Sequence, residues 1–141
     1  MLPRNLIYLS LSFFLILSTG CGSADRVQGL EIKGSVTLEG EPLPSGAITL
    51  IPEGPGTSVG TTITDGTYLI DSSGGALAGE YRVEIDSSQS TGKKIKSSVG
   101  ETLEEEFKNI IPEKYNRKSI LKVIITQDGD HVHDFELASK P

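Results

Sequence analysis

The side chains that could do chemistry are few: one cysteine and two histidines in 141 residues, set among nineteen acidic and thirteen basic groups. Cys21 has no second cysteine to pair with, so in an exported chain it is either a free thiol or a site of modification. His131 and His133 are two apart and share one face of a strand, a spacing that some metal sites use. Phe135 and Leu137 continue that face, and a polar pair at the wet end of an apolar row is the simpler account. A third ligand would have to arrive by folding, from Asp65 or Asp71, and no metal is expected. Asp128, Asp130 and Asp134 suggest calcium, but an EF-hand loop needs D-x-D-x-D-G and a glutamate at its twelfth position. Asp128-Gly129 reads as turn chemistry instead. Serines are plentiful, yet there is no G-x-S-x-G and neither histidine has an obvious orienting acid, so no catalytic residue is assigned and no cofactor is expected. Lys33 and Asp134 have the residue types of an isopeptide cross-link, but Lys33 falls on the charged side of its strand and reads as solvated.

Composition narrows the partners. A net charge of −6 leaves no basic face to displace phosphate counterions, so nucleic acid is excluded as a partner. The length is that of one domain. Sixteen glycines, seven prolines and no tryptophan describe a turn-rich globular chain with little aromatic surface.

The first twenty residues read as an export signal. Arg4 supplies a positive start, and the run from Leu6 to Leu17 is apolar except for Ser10 and Ser12. Twelve residues of helix rise about 18 Å, short of the ~30 Å hydrocarbon core of a bilayer, so a permanent transmembrane helix is not expected. Small residues Ser18-Thr19-Gly20 then lead into Cys21. This segment resembles the bacterial lipobox, and the resemblance implies that Cys21 is diacylated on sulfur, becomes the mature N-terminus and is often N-acylated. Two or more chains anchor stably where one does so marginally, so the expected partner is a bacterial membrane, on its periplasmic or cell-surface face. The alternative is an ordinary signal cut near Gly20 or Ala24, leaving a soluble free thiol. Residues 21–30 then form the lipidated cysteine and a short polar tether.

Residues 31–138 form the folded domain in this reading. Ile32, Val36 and Leu38 alternate with charged and polar neighbours, the period of a half-buried strand. Gly40-Glu41-Pro42 and Pro44-Ser45-Gly46 turn the chain, and Ala47 to Ile51 is a second strand. Thr61–Thr64 and Thr67–Ile70 flank Asp65-Gly66, a dipeptide suited to a tight hairpin turn. Tyr81, Val83 and Ile85 alternate cleanly with charges. Ser87 to Asn109 is a long polar connection in which Leu103 and Phe107, four apart, with Thr102 and Glu105 as a capping box, predict one or two helical turns. A connection this long is uncommon without a role, so it is the expected partner-facing surface. Ile120–Thr126 and His131–Leu137 are expected to close the domain as a second hairpin. Tyr115 is expected to pack over the sandwich edge, and the run of glutamates at 101–106 to be solvated. The candidate core is Ile32, Val36, Leu38, Ile48, Leu50, Ile63, Tyr68, Ile70, Tyr81, Val83, Ile85, Leu121, Val123, Ile125, Phe135 and Leu137. About seven short strands predict an all-β, antiparallel sandwich of the immunoglobulin-like or transthyretin-like kind.

The run from Gly34 to Ala47 (GSVTLEGEPLPSGA), then Thr64-Asp65-Gly66-Thr67-Tyr68 and Gly79-Glu80-Tyr81-Arg82-Val83, resembles the carboxypeptidase regulatory-like, or transthyretin-like, domain over roughly Ile32 to Ile85. Thr91-Gly92-Lys93-Lys94 and Ile111-Pro112-Glu113-Lys114-Tyr115-Asn116 look like short bacterial lipoproteins that carry this domain. The resemblance implies a sandwich without catalytic activity. Transthyretin-like folds include hydroxyisourate hydrolases, but their C-terminal Tyr-Arg-Gly-Ser does not occur in the ending Glu136-Leu137-Ala138-Ser139-Lys140-Pro141. The expected function is a structural or protein-interaction module of the cell envelope, with an envelope protein as partner. A carbohydrate-binding module is the alternative, weakened by the scarcity of aromatic residues on which sugars stack.

Overall fold

Alternation of apolar and polar residues builds ten strands among the described residues. They are β1 (Ile32–Leu38), β2 (Glu41–Pro42), β3 (Ser45–Pro52), β4 (Val59–Thr64), β5 (Thr67–Ile70), β6 (Gly79–Asp86), β7 (Ser88–Lys96), β8 (Leu103–Asn109), β9 (Lys122–Ile125) and β10 (Phe135–Leu137), with one 3₁₀ turn at Glu113–Tyr115. The computed structural model describes residues 28–139, so the expected export signal at 1–20, Cys21 and the tether up to residue 27 lie outside the described residues. No α-helix occurs among the described residues, and the chain is an all-β, sandwich-like fold.

One sheet runs in the order β10-β1-β5-β4-β3-β6-β9, with β2 added beside β1. It curls because β1 changes partners along its length: Ile32–Ser35 pair with β5, while Val36–Leu38 pair in parallel with β10, and Thr37 and Leu38 also with β2. The inner face carries the alternating residues in register. Ile48 lies opposite Ile85, Leu50 opposite Val83 and Tyr81 opposite Val123, all buried. Burial of each such side chain contributes roughly 1.5–3 kcal/mol. Fourteen of the sixteen expected core residues are buried, and Leu38 and Leu121 pack against the cluster from its margin. The core also takes Leu43, Ala76, Ile111 and Tyr115, which sit in turns and connections where no period marks them.

The turns follow the residues. Asp65 (φ 49°) and Gly66 (φ 74°) both have positive φ, as a type I′ hairpin requires, and Glu39 (φ 56°) with Gly40 (φ 83°) makes the same kind of turn between β1 and β2. Gly34 is demanded by a close approach: a Cβ there would stand 1.8 Å from the carbonyl oxygen of His133. That carbonyl also accepts a hydrogen bond from Tyr68 Oη at 2.7 Å, so β1, β5 and the approach to β10 meet at one point.

Three expectations are corrected. Residues 120–126 and 131–137 do not form a hairpin, because β9 pairs with β6 and β10 pairs with β1, at opposite edges of the sheet. The Asp128-Gly129 signal is real but local: Gly129 N–H donates to Thr126 O at 3.3 Å, and the chain then crosses to the far edge. Each of the two strands has an apolar face to bury, and separate edges of a curled sheet offer each one a core to face. The second correction is that 87–109 forms no helical turns but the antiparallel pair β7–β8, a largely exposed sheet of its own. Leu103 and Phe107 are four apart, which suits one face of a strand as well as one face of a helix. An isolated eight-residue helix is marginal in water, whereas pairing with β7 satisfies the backbone directly. Third, Gly29 and Leu30, expected to belong to a tether, are part of the body: Gly29 N–H donates to Ser72 O and Leu30 N–H to Ala76 O.

Candidate functional site

On the β7–β8 ribbon, exposed apolar groups and ordered charge coincide. Strand pairing sets its two faces, because residues directly opposite share a side. Lys96 opposes Leu103, Lys94 opposes Glu105 and Ser90 opposes Phe107, so one face carries Leu103, Glu105 and Phe107 beside Lys96, Lys94 and Ser90. Ile95 opposes Glu104 and Gln89 opposes Lys108 on the other face. A bulge between Ser90 and Lys94, with Gly92 at φ 71°, takes up the extra residues of β7. Leu103 is 62% exposed, Phe107 61% and Val99 at the tip 92%. The two strands differ in charge: β7 holds Lys93, Lys94 and Lys96 with no acid, and β8 holds Glu104, Glu105 and Glu106 with Lys108.

The root of the ribbon is fixed by one asparagine. Asn109 Oδ1 accepts from Ser87 N–H (3.2 Å) and Ile111 N–H (3.0 Å), while its Nδ2 donates to Asp86 Oδ1 (2.7 Å). Ser87 is buried and its hydroxyl donates to Ser45 O at 2.6 Å, and Ile110 N–H donates to Ser87 O. The ribbon is thereby aimed from the body by hydrogen bonds at its base. Within it, Ser90 Oγ donates to Glu105 and Thr91 Oγ1 to Glu106, one bond on each face.

Several of the described residues singled out for chemistry are engaged singly by backbone or serine groups. His131 Nε2 lies 2.9 Å from Thr126 O, and Asp130 accepts from Val132 N–H. Asp134 accepts from the hydroxyl and the N–H of Ser35, which hold its carboxyl below the usual range. Asp71 likewise accepts from the hydroxyl and the N–H of Ser73, and its pKa is lowered. Among the described residues no three of His, Cys, Asp and Glu converge on a point that could hold a metal. Lys33 is mostly exposed, with Nζ 3.7 Å from Glu31, while Asp134 is engaged by Ser35. His133 is the exception in having a buried Nε2 without a partner; burial pushes its pKa down, against the opposing pull of Asp130.

Tyr115 is structural. It is buried, its ring carries Lys114 Nζ at 5.0 Å, and its hydroxyl accepts from Ala138 N–H. The next residue, Asn116, is a buried polar group that sequence reasoning missed. Its Nδ2 donates to Ile111 O at 3.0 Å, its Oδ1 accepts from Arg117 N–H, and Ser119 Oγ nearby donates to Val83 O. No period or spacing flags such a residue.

Two hollows open on the surface of the described residues. A cleft of about 820 Å³ lies between the glycine-rich loops at Gly54 and Gly74, where Tyr81 Oη is already bound to the backbone of Leu77. A shallower one of about 420 Å³ lies over Lys33, Leu69 and Val132. In the second, the hydroxyl of Ser35 donates to Asp134 at 2.8 Å. No helix among the described residues is long and apolar enough to cross a membrane. No family model, curated protein or solved structure matches the chain.

Proposed function

We propose that this protein is a lipid-anchored, non-catalytic interaction module of a bacterial cell envelope, a transthyretin-like sandwich held by an acylated Cys21 that offers the β7–β8 ribbon to other envelope proteins. The observation that carries the reading is the ribbon itself, which exposes Ile95, Leu103 and Phe107 together on one pair of strands, whereas the large sheet exposes strand apolars singly, at Leu69 and Ile124. The non-catalytic part is supported by the engagement of His131, Asp71, Asp130 and Asp134 with backbone or serine groups. The anchor is supported by the placement of the sole cysteine directly after an apolar run. A glycan site has less to support it: Tyr68, Tyr81, Tyr115 and Phe135 are buried, which leaves Phe107 as the one exposed aromatic ring among the described residues.

The anchor is tested with Cys21→Ala. Wild-type protein is expected to partition into the detergent phase and to incorporate labelled fatty acid, and the variant to do neither; equal behaviour of the two would overturn the anchoring. The ribbon is tested by placing a photo-cross-linking residue at position 103 in cells, with position 62 on the sheet as control. Adducts are expected from 103 and not from 62.

A further inference from the structure

We infer that the ribbon face bearing Leu103, Glu105 and Phe107 is the contact surface for a second copy of this chain, the acidic β8 of each copy lying over the basic β7 of the other. The inference rests on the reading of the ribbon as a docking surface and names its occupant.

The argument is one of complementarity. A partner for this face must present acid above Lys94 and base above Glu105. The ribbon turned over supplies that pattern. A two-fold axis running along the ribbon would set Glu105 of each copy over Lys94 of the other, because these two residues are directly opposite within one ribbon and exchange places under the rotation. The same operation brings Leu103 against the methylene stem of Lys96 and Phe107 against Ser90, a small residue that leaves room for a ring. Four strands in two layers then bury side chains that one ribbon leaves in water. A two-stranded ribbon is marginal by itself, and a second layer is what such a pair ordinarily needs.

The symmetry is also favourable. An isologous contact closes at two copies and does not propagate into a fibre. With the axis along the ribbon, both bodies lie at the same end of the assembly, so both tethers start at one level, as two anchors in one bilayer require. The lysines of β7 would also guard an open strand edge against random pairing. That role does not call for a glutamate directly opposite Lys94 or for apolar residues on either side of it. The contact is small, so the association belongs to the weak, salt-sensitive class, with Kd on the order of micromolar.

Sedimentation equilibrium of the full-length protein in detergent tests this. A reversible monomer–dimer equilibrium that weakens as salt is raised is expected. Lys94→Glu sets acid over acid at the central pair and Glu105→Lys sets base over base. Each variant alone should associate roughly tenfold or more weakly than wild type, and an equimolar mixture of the two should recover a heterodimer. Leu103→Ser and Phe107→Ser should weaken association while leaving the urea midpoint unchanged. A wild-type protein that stays monomeric throughout, an association indifferent to salt, or a variant mixture that fails to pair overturns the inference. In cells, a cross-link from position 103 to the same protein supports it. A cross-link only to a different protein overturns the second copy but leaves the docking surface standing, and no cross-link at all overturns both.

Discussion

The β4–β5 hairpin and the β7–β8 ribbon are built alike, each an antiparallel pair closed by a short connection, yet they treat their apolar residues in opposite ways. In the first, Ile63, Tyr68 and Ile70 face inward and are buried while their neighbours are solvated. In the second, Ile95, Leu103 and Phe107 are all exposed. The difference is that β4 and β5 are each paired on both sides within the sheet, whereas β7 and β8 have only one another. Strand pairing satisfies the backbone but buries little side-chain surface; burial comes from a second layer, and the ribbon lacks one. Its order therefore depends on its root and its internal bonds, and its exposed groups are free to serve a partner.

Substitutions can break that contrast or sharpen it. The largest effect is expected from Leu50→Ala in the body, which removes a fully buried side chain and should cost about 2–5 kcal/mol in urea unfolding. A loss below about 1 kcal/mol would mean that the curled sheet does not hold a close-packed core. Gly34→Ala should cost about 1–3 kcal/mol, since the added methyl meets the carbonyl oxygen of His133 and must separate β1 from the approach to β10. Gly54→Ala, with open space around the site, is its control and should change stability by less than about 0.5 kcal/mol. Asn116→Ala leaves the buried carbonyl of Ile111 without its donor and should cost about 1–3 kcal/mol.

A shallower effect is expected from pH. Burial lowers the pKa of His133 below its ordinary 6.5, so the unfolded chain takes up that proton first. Stability should be full above pH 6.5 and decline as pH falls toward 5, and His133→Gln should flatten that part of the profile. Asp71 and Asp134 are held below the ordinary carboxylate range and lose their contribution only at lower pH, near and below 4, which separates the two effects. An unchanged slope in the variant would remove His133 from the account. The smallest effect belongs to the ribbon: Phe107→Ala should leave unfolding within about 0.5 kcal/mol of wild type, because its ring is largely in water already. A cost comparable to that of Leu50→Ala would show that the ribbon is packed on something in the isolated protein.

Residue order alone determined the strands that face a core. The two-residue period over Ile32–Leu38 and Tyr81–Ile85 and the Asp65-Gly66 turn are local properties, set by side-chain direction and backbone sterics, and they lead to the observed elements and nearly all of the core. Residues 87–109 stood out in the same way, by length and charge, as the segment to watch. Their conformation was not legible, because a spacing of four fits helix and strand alike and a pairing partner for the backbone decided between them. Tertiary structure alone decided which edge each of the last two strands would join, that Gly34 must be glycine for the sake of a carbonyl almost a hundred residues later, and that Asn109 and Asn116 would be the polar clamps of the fold. Those are long-range choices, made where separate stretches of chain compete for the same buried surface and the same hydrogen-bonding groups, and no local pattern encodes the outcome.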